Sequence, residues 1–368
     1  MKNTRIASIV VSAGYSSRMH SFKPFLKFGK YTAVETVITT LKNSGIDDII
    51  LVVGYRGSEV IEKTKNFGVV CVVNENYSQG MYSSVLKGVE ALEPNIDAFF
   101  MQPVDVPLVK GHTIDLLKNM YLESHKGIIY PAFCGKRGHP PLIDSKYKHV
   151  ILNGDGEGGL KKILERHEDD SLLVPVFDEA VLMDMDRKKD YQKLLRYFYA
   201  GVPNRKECYE ILNSYNVPAH IIKHCTEVAR VALDILDSLK GTGCELDGAA
   251  LEAAALLHDI ARREKRHARM GEKILKEIGY EYVGYIISTH IDIAVNEKGR
   301  ITENEILYLA DKLVKEDSIM PLESRFRQYM NAYGDNLEAL EKIKNRYDAA
   351  EKIIKKLENS TGKGFIYG

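Results

Sequence analysis

Short apolar runs alternate with amphipathic stretches through the first half of the chain. Ile6–Val11 is rich in β-branched residues and ends in Ser12-Ala13-Gly14, the pattern of a strand closing on a tight turn. Thr32-Ala33-Val34-Glu35 has capping-box spacing and opens a helix expected to stop near Gly45. Ile49–Val53 reads as a second buried strand, Val69–Val73 as a third and Ala98–Gln102 as a fourth, with helical stretches near 57–66, 82–92 and 111–124. Alternation at this spacing predicts an α/β domain: a doubly wound, mostly parallel, Rossmann-like sheet with helices on both faces. Ligands of such sheets bind beyond the carboxyl ends of the strands. The polar segments 12–24, 74–84 and 103–107 each follow a strand.

After about residue 200 the pattern changes. Segments 218–240, 247–260, 268–278, 280–290, 303–316 and 335–358 carry helical periodicity, and strand alternation disappears, so an all-α domain is expected. The Gly/Pro punctuation of Tyr199-Ala200-Gly201-Val202-Pro203-Asn204 marks the boundary, dividing 1–200 from 203–368. A length of 368 residues also favours two cores over one.

Charge and cysteines narrow the class. The 51 basic and 51 acidic side chains balance, so no general affinity for nucleic acid or membranes is expected. The five cysteines form no CxxC pair and are odd in number, which argues against a disulfide framework and for a reducing compartment. The apolar run at the N-terminus is too short for a signal or membrane helix. A cytoplasmic protein is expected.

The turn after the first strand carries candidate chemistry. Gly14 permits close approach of backbone N–H groups to phosphate oxygens, and Arg18 and Lys23 follow four and nine residues later. Phosphoryl and nucleotidyl transfer need mainly positioned donors and cations around the phosphorus centre. Asp105, just past a strand in Gln102-Pro103-Val104-Asp105, could hold Mg²⁺ against a triphosphate, and Asp184 or Asp186 could supply a second carboxylate. Asn74 to Ser84 offers small and amide groups to a base and ribose. Taken singly, each of these also reads as an ordinary solvated loop residue.

Together these segments resemble the MobA-like nucleotidyltransferases, especially the molybdenum-cofactor cytidylyltransferase branch. The matching stretches are Ala13 to Pro24, Asn74 to Ser84, Pro103 to Pro107, Arg137 to Pro140, Gly154 to Gly158 and Asp184 to Tyr191. The resemblance implies that Arg18 and Lys23 bind a triphosphate, that Ser12, Ala13, Gly14, Asn74, Gly80, Ser83 and Ser84 bind the nucleotide, and that Asp105 and Asp186 hold Mg²⁺. Cytidylyl members carry Ala-Ala-Gly where guanylyl members carry Ala-Gly-Gly, so Ser12-Ala13-Gly14 leans towards CTP. The implied acceptor is the terminal phosphate of a molybdopterin-type cofactor, with a molybdenum hydroxylase as a downstream partner. His20 stands where the family usually has glycine. His139 belongs to the acceptor side or, equally, stabilises a turn before its prolines.

In the second half, His220, His224, His258, His267, His290, Asp259 and Asp311 fall on or at the ends of expected helices. Imidazole and carboxylate suit Mn, Fe, Co or Zn. A lone histidine on such a face is usually a satisfied core residue, but several at separate helix ends are not so easily explained. The pattern of His224, His258-Asp259 and Asp311 resembles the HD superfamily of metal-dependent phosphohydrolases, over about 203–315. His267 and His290 match its subset that holds two metals, of the YqeK type. The basic cluster Arg262, Arg263, Lys265 and Arg266 reads as a phosphate-attracting rim or as a solvated helix start. Beyond 315 only amphipathic helix is recognisable.

The combined expectation is a bifunctional enzyme. Alternatives are transfer to another phosphorylated acceptor, such as a sugar phosphate or phosphocholine, or a non-catalytic cofactor-insertion module with a nucleotide-sensing HD half.

Overall fold

The computed structural model describes residues 4–19, 21–334 and 336–367, so His20 lies outside the described residues. The chain divides into two compact units, Met1–Tyr199 and Ala200–Gly368.

The first unit is built on a twisted mixed sheet. Its main strands are β1 (Ile6–Ser12), β2 (Ile49–Val53), β3 (Val70–Val73), β4 (Ala98–Pro103), β5 (Ile128–Phe133), β6 (Leu142–Asp144) and β7 (Ser171–Pro175), in the order β7-β5-β6-β4-β1-β2-β3. β1 pairs in parallel with both β4 and β2, with Ile9 opposite Met101 and Ile50. β6 runs antiparallel to both β4 and β5. The sheet is therefore mostly parallel, as expected, with β6 reversed between β5 and β4 and the short strand Lys136–Arg137 antiparallel to β5.

Both faces are covered. Ala7, Ile9, Ile50, Val52 and Phe99 point to α3 (Met81–Glu90), α5 (Lys148–Leu152) and α6 (Gly159–Glu165). Val10, Leu51, Val53 and Phe100 point to α1 (Ala33–Asn43), α2 (Gly57–Thr64) and α4 (Gly111–Ser124). Burial on both faces explains why β2 reads as an unbroken apolar run and why β1 and β4 are almost entirely apolar. α1 has the expected capping box, with Thr32 as N-cap and Glu35 returning a carboxylate oxygen to the Thr32 N–H at 2.8 Å. α3 lies so close to β1 that a Cβ at Gly88 would fall 2.3 Å from Ile9 Cγ2.

One expectation needs correcting. Val70–Val73 is not a buried strand: it is the sheet edge, paired only with β2, and Val70 is 61% exposed. An apolar run alone does not separate an edge strand from a central one.

The second unit is helical: α8 (Arg205–Ser214), α9 (Ala219–Ser238), α10 (Gly248–Leu257), α11 (His267–Glu277), α12 (Glu281–Ser288), α13 (Glu303–Leu313), α14 (Leu322–Ala332) and α15 (Leu337–Thr361), with α7 (Lys188–Ala200) preceding it. α10 packs on α8, α9, α12 and α13. Its run from Ala253 to Leu257 is fully enclosed because small residues let the neighbouring helices approach. α8 and α14 were not singled out in the sequence. A two-residue ladder, Val314–Lys315 with Ser318–Ile319, follows α13 where helix was expected to continue to 316. No helix of the described residues is long and apolar enough to cross a membrane.

Candidate functional site

A candidate site lies in each unit. In the first, the turn after β1, the segment after β3 and the end of β4 line a cavity of about 320 Å³. It takes in Ser12, Ala13, Gly14, Arg18, Lys23, Gly80, Ser84 and Asp105. Among the described residues, a Cβ at Gly14 would meet nothing within 4 Å, which leaves open space above that turn. Gly80 has φ 102° and ψ 175°, a glycine conformation, and caps the N-terminus of α3. That end of the helix presents N–H groups and a partial positive charge.

Lys23 organises the charged edge. Its Nζ lies 3.2 Å from Asp105 Oδ2 and 2.8 Å from Asp186 Oδ1. Arg18 also pairs with Asp186, through Nη1 to Oδ2 at 2.8 Å and Nη2 to Oδ1 at 3.1 Å. Lys23's hydrogen bond and charge, together with Arg18, hold the Asp186 carboxyl below its ordinary value despite partial burial. Asp184 is pushed the other way, by burial and then by repulsion from Asp186 and Asp105. Burial lowers the His139 imidazole, an effect that the charges of Asp105 and Asp184 only partly offset.

Asn74 and Ser83 sit apart from the cavity lining. Asn74 Nδ2 donates to Ser83 Oγ and Ser84 Oγ, both at 2.9 Å, and its Oδ1 accepts from the Asn76 N–H at 3.0 Å. Its amide is thus spent on shaping the segment that carries Gly80. Tyr15 and Tyr77, which the sequence reading passed over, do line the cavity, with ring centroids 5.1 Å apart.

The second site lies where α9, α10, α11, α12 and α13 converge. His224, His258 and Asp259 form one group of potential metal ligands, and Asp259, His267 and His290 form another. Asp259 belongs to both. His224 Nε2 lies 3.2 Å from Asp311 Oδ1, and His258 Nε2 lies 3.7 Å from the same oxygen. His267 Nε2 lies 3.2 Å from Asp259 Oδ1 and from His290 Nε2.

The rings are aimed by their other nitrogens. Nδ1 of His258 bonds the Ala255 carbonyl at 2.8 Å, Nδ1 of His290 that of Ile287 at 2.7 Å, and Nδ1 of His224 that of Glu316 at 2.8 Å. With Nδ1 donating, each Nε2 is left as the acceptor facing the centre. His258 is the C-cap of α10, and Arg266 adopts φ 58° as the N-cap of α11, so that His267 enters as its first residue. His220 lines the adjoining cavity but joins neither ligand group among the described residues. Of the basic cluster only Arg262 reaches the cavity, its Nη1 donating to His267 Nε2 at 3.2 Å.

Residues 8–171 match the MobA-like NTP transferase domain, and residues 221–315 match the HD domain. The chain joins a MobA-like NTP transferase domain to an HD domain. The molybdenum cofactor cytidylyltransferase of Escherichia coli (strain K12) is 28% identical over 189 residues, covering 50% of this chain and 93% of that protein. Among solved structures, a nucleotidyl transferase from Methanothermobacter thermautotroptrophicus aligns at 22% identity and a TM-score of 0.47, covering 54% of this chain and 99% of that one. Rv0371c from Mycobacterium tuberculosis H37Rv aligns at 21% identity and a TM-score of 0.47, covering 52% and 98%.

Both domains belong to families that use divalent metals, and the residues present fit them. In the transferase domain the Lys23 ammonium stands in for a cation between Asp105 and Asp186. Among the described residues, His258 Nε2 and Asp259 Oδ1 of the HD domain are buried with close neighbours but no well-formed hydrogen bond. Such atoms cost free energy unless something occupies the space between them. Burial pushes the His258 imidazole down to about 4. Burial opposes ionisation of Asp259, yet His258, His267 and His290 hold its carboxyl far below the usual range. Neutral imidazole beside ionised carboxylate is the ligand state that metals require.

Proposed function

We propose that the chain is a bifunctional enzyme, with a Mg²⁺-dependent cytidylyltransferase in residues 1–200 and a metal-dependent phosphohydrolase in residues 203–368. The observation that best supports the first activity is Lys23 Nζ bridging Asp105 and Asp186, beside an open glycine turn. The similarity to the E. coli cytidylyltransferase favours CTP and a molybdopterin-type acceptor.

In this reading an oxygen of the acceptor's terminal phosphate attacks the α-phosphorus of CTP. The new P–O bond forms as the bond to the β-phosphate oxygen breaks, and pyrophosphate leaves with that electron pair. A phosphate is already anionic near neutral pH, so no strong general base is needed. The Ser12–Gly14 turn and the α3 N-terminus at Gly80 and Ser84 cradle the nucleotide, while Asn74 and Ser83 keep that segment in shape. Arg18 and Lys23 stabilise charge on the triphosphate as it reacts. Asp105 and Asp186 hold Mg²⁺, which supplies further charge neutralisation when bound. His139 lies on the acceptor side.

For the HD domain, His224, His258 and Asp259, with Asp311 beside His224, would hold one ion, and Asp259, His267 and His290 a second. The histidine-carboxylate set suits Mn, Fe, Co or Zn. Bound there, such ions would supply charge neutralisation and an activated water for hydrolysis of a phosphoester or nucleotide.

The test is pyrophosphate release from each NTP, with and without molybdopterin. Release confined to CTP plus molybdopterin supports the reading. Release that follows a sugar phosphate or phosphocholine instead moves the assignment to that acceptor, and none with any NTP overturns it. Metal analysis of purified protein, then a screen of phosphodiesters and dinucleotides, tests the HD half.

A further inference from the structure

The cavity beside the HD centre measures about 840 Å³ and reaches past the metal ligands to α14 and α15, which lie beyond the matched HD stretch. Arg325 of α14 lines it, yet the residue is only 9% exposed. Its Nη1 donates to the Asp311 carbonyl at 2.6 Å and to the Val314 carbonyl, and its Nε donates to Tyr329 Oη at 3.2 Å. No carboxylate pairs with it among the described residues, and its second amino group, Nη2, has no protein partner there.

A buried guanidinium without a carboxylate is costly, and carbonyl dipoles offset only part of that cost. The neighbouring acids do not resolve it. Asp311 feels the Arg325 charge at a distance, but its carboxylate pairs directly with Lys312 at 2.7 Å and with His224, and Asp259 faces the histidines. Metal ions would make the centre more positive still. The group that completes this environment is an anion held against the metals.

We propose that Arg325 is the phosphate-contacting arm of the HD site: Nη1 fixes it to the end of the helix bearing Asp311, and Nη2 meets a phosphoryl oxygen of the substrate. This rests on the metal-dependent reading of the HD domain. The substrate class is a phosphorylated compound larger than orthophosphate, since the cavity of about 840 Å³ runs on from the ligands past Lys315, Glu316 and Asp317 to Tyr333 and Arg346. The C-terminal helices are then part of the active site.

The experiment uses the full, metal-loaded chain, titrated calorimetrically with inorganic orthophosphate, alongside metal stoichiometry by mass spectrometry. Wild type binds phosphate. Arg325→Met keeps its metals and loses affinity roughly ten- to a hundredfold, the worth of one charge-assisted hydrogen bond. Arg325→Lys, which keeps the charge and covers the case in which the methionine variant does not fold, shows a smaller loss with metals retained. Unchanged phosphate affinity in a metal-replete variant overturns the proposal, as does loss of metal from both variants, which would make Arg325 only a clamp on α13. Failure of wild type to bind metal would instead overturn the metal-dependent reading itself.

Discussion

Lys23 Nζ lies 3.2 Å from Asp105 Oδ2 although 82 residues separate them in sequence. The turn after β1 and the end of β4 meet because those strands are neighbours in the sheet, so the contact follows directly from strand order. Asp186 joins them from the far end of the domain, with its Oδ1 2.8 Å from the same ammonium. Replacing Lys23 by methionine should lower nucleotidyl transfer on the order of a hundred- to a thousandfold, as for loss of one preorganised charge-stabilising donor. HD hydrolysis should be unchanged. Pyrophosphate and phosphate release assays on one preparation would check both.

Gly14 separates fold from function. A side chain there projects into open space, so Gly14→Val should leave thermal unfolding nearly unchanged while CTP binding is lost. Gly88→Val is the contrast. Its Cβ would collide with Ile9, so it should lower the unfolding temperature of the transferase domain.

Metal stoichiometry tests the shared ligand. His224→Ala should remove one ion per chain and His267→Ala the other, whereas Asp259→Asn should remove both, because Asp259 belongs to both ligand groups. Elemental analysis of the three variants would distinguish these outcomes.

The capping box of α1 gives a pH dependence. Burial of Glu35 disfavours its charge, but hydrogen bonds from Thr32 and the charge of Lys63 outweigh this and lower its carboxyl below 4.5. A depressed carboxyl stabilises the fold above its unfolded value and loses that contribution as pH falls through the folded value. The transferase domain should therefore weaken below about pH 4.5, and Glu35→Gln should show less of that decline, as measured by denaturant titration across the acid range.

In the HD domain, Lys356 of α15 meets Glu305 of α13 at 2.6 Å, both side chains being more than nine-tenths buried. Lys356→Met leaves the carboxylate uncompensated and should cost about 3–5 kcal/mol. The double variant with Glu305→Leu should recover much of this in chemical denaturation.

Much of this architecture is legible in local patterns. The Thr32–Glu35 box, the strand Ile49–Val53 and the helix 111–124 all lie where the sequence places them, because each is specified by its own residues. Leu142–Asp144 is different. Three residues carry no period of their own, and the strand exists because β4 and β5 offer edges on either side of it. The candidate ligands were found because His, Asp, Arg and Lys fell at element ends. Arg325 gave no such signal: it sits inside an amphipathic helix, and only the packing of α14 against α13 brings it to the centre.

The account depends most on whether Arg18, Lys23, Asp105 and Asp186 surround one magnesium-bound nucleotide. Calorimetric titration with a non-reactive CTP analogue, with and without Mg²⁺, measures that directly. The account predicts tight binding only with Mg²⁺ in the wild type, and loss of that Mg²⁺ dependence in the Asp105→Asn, Asp186→Asn double variant. Equal binding by the double variant under both conditions would contradict it.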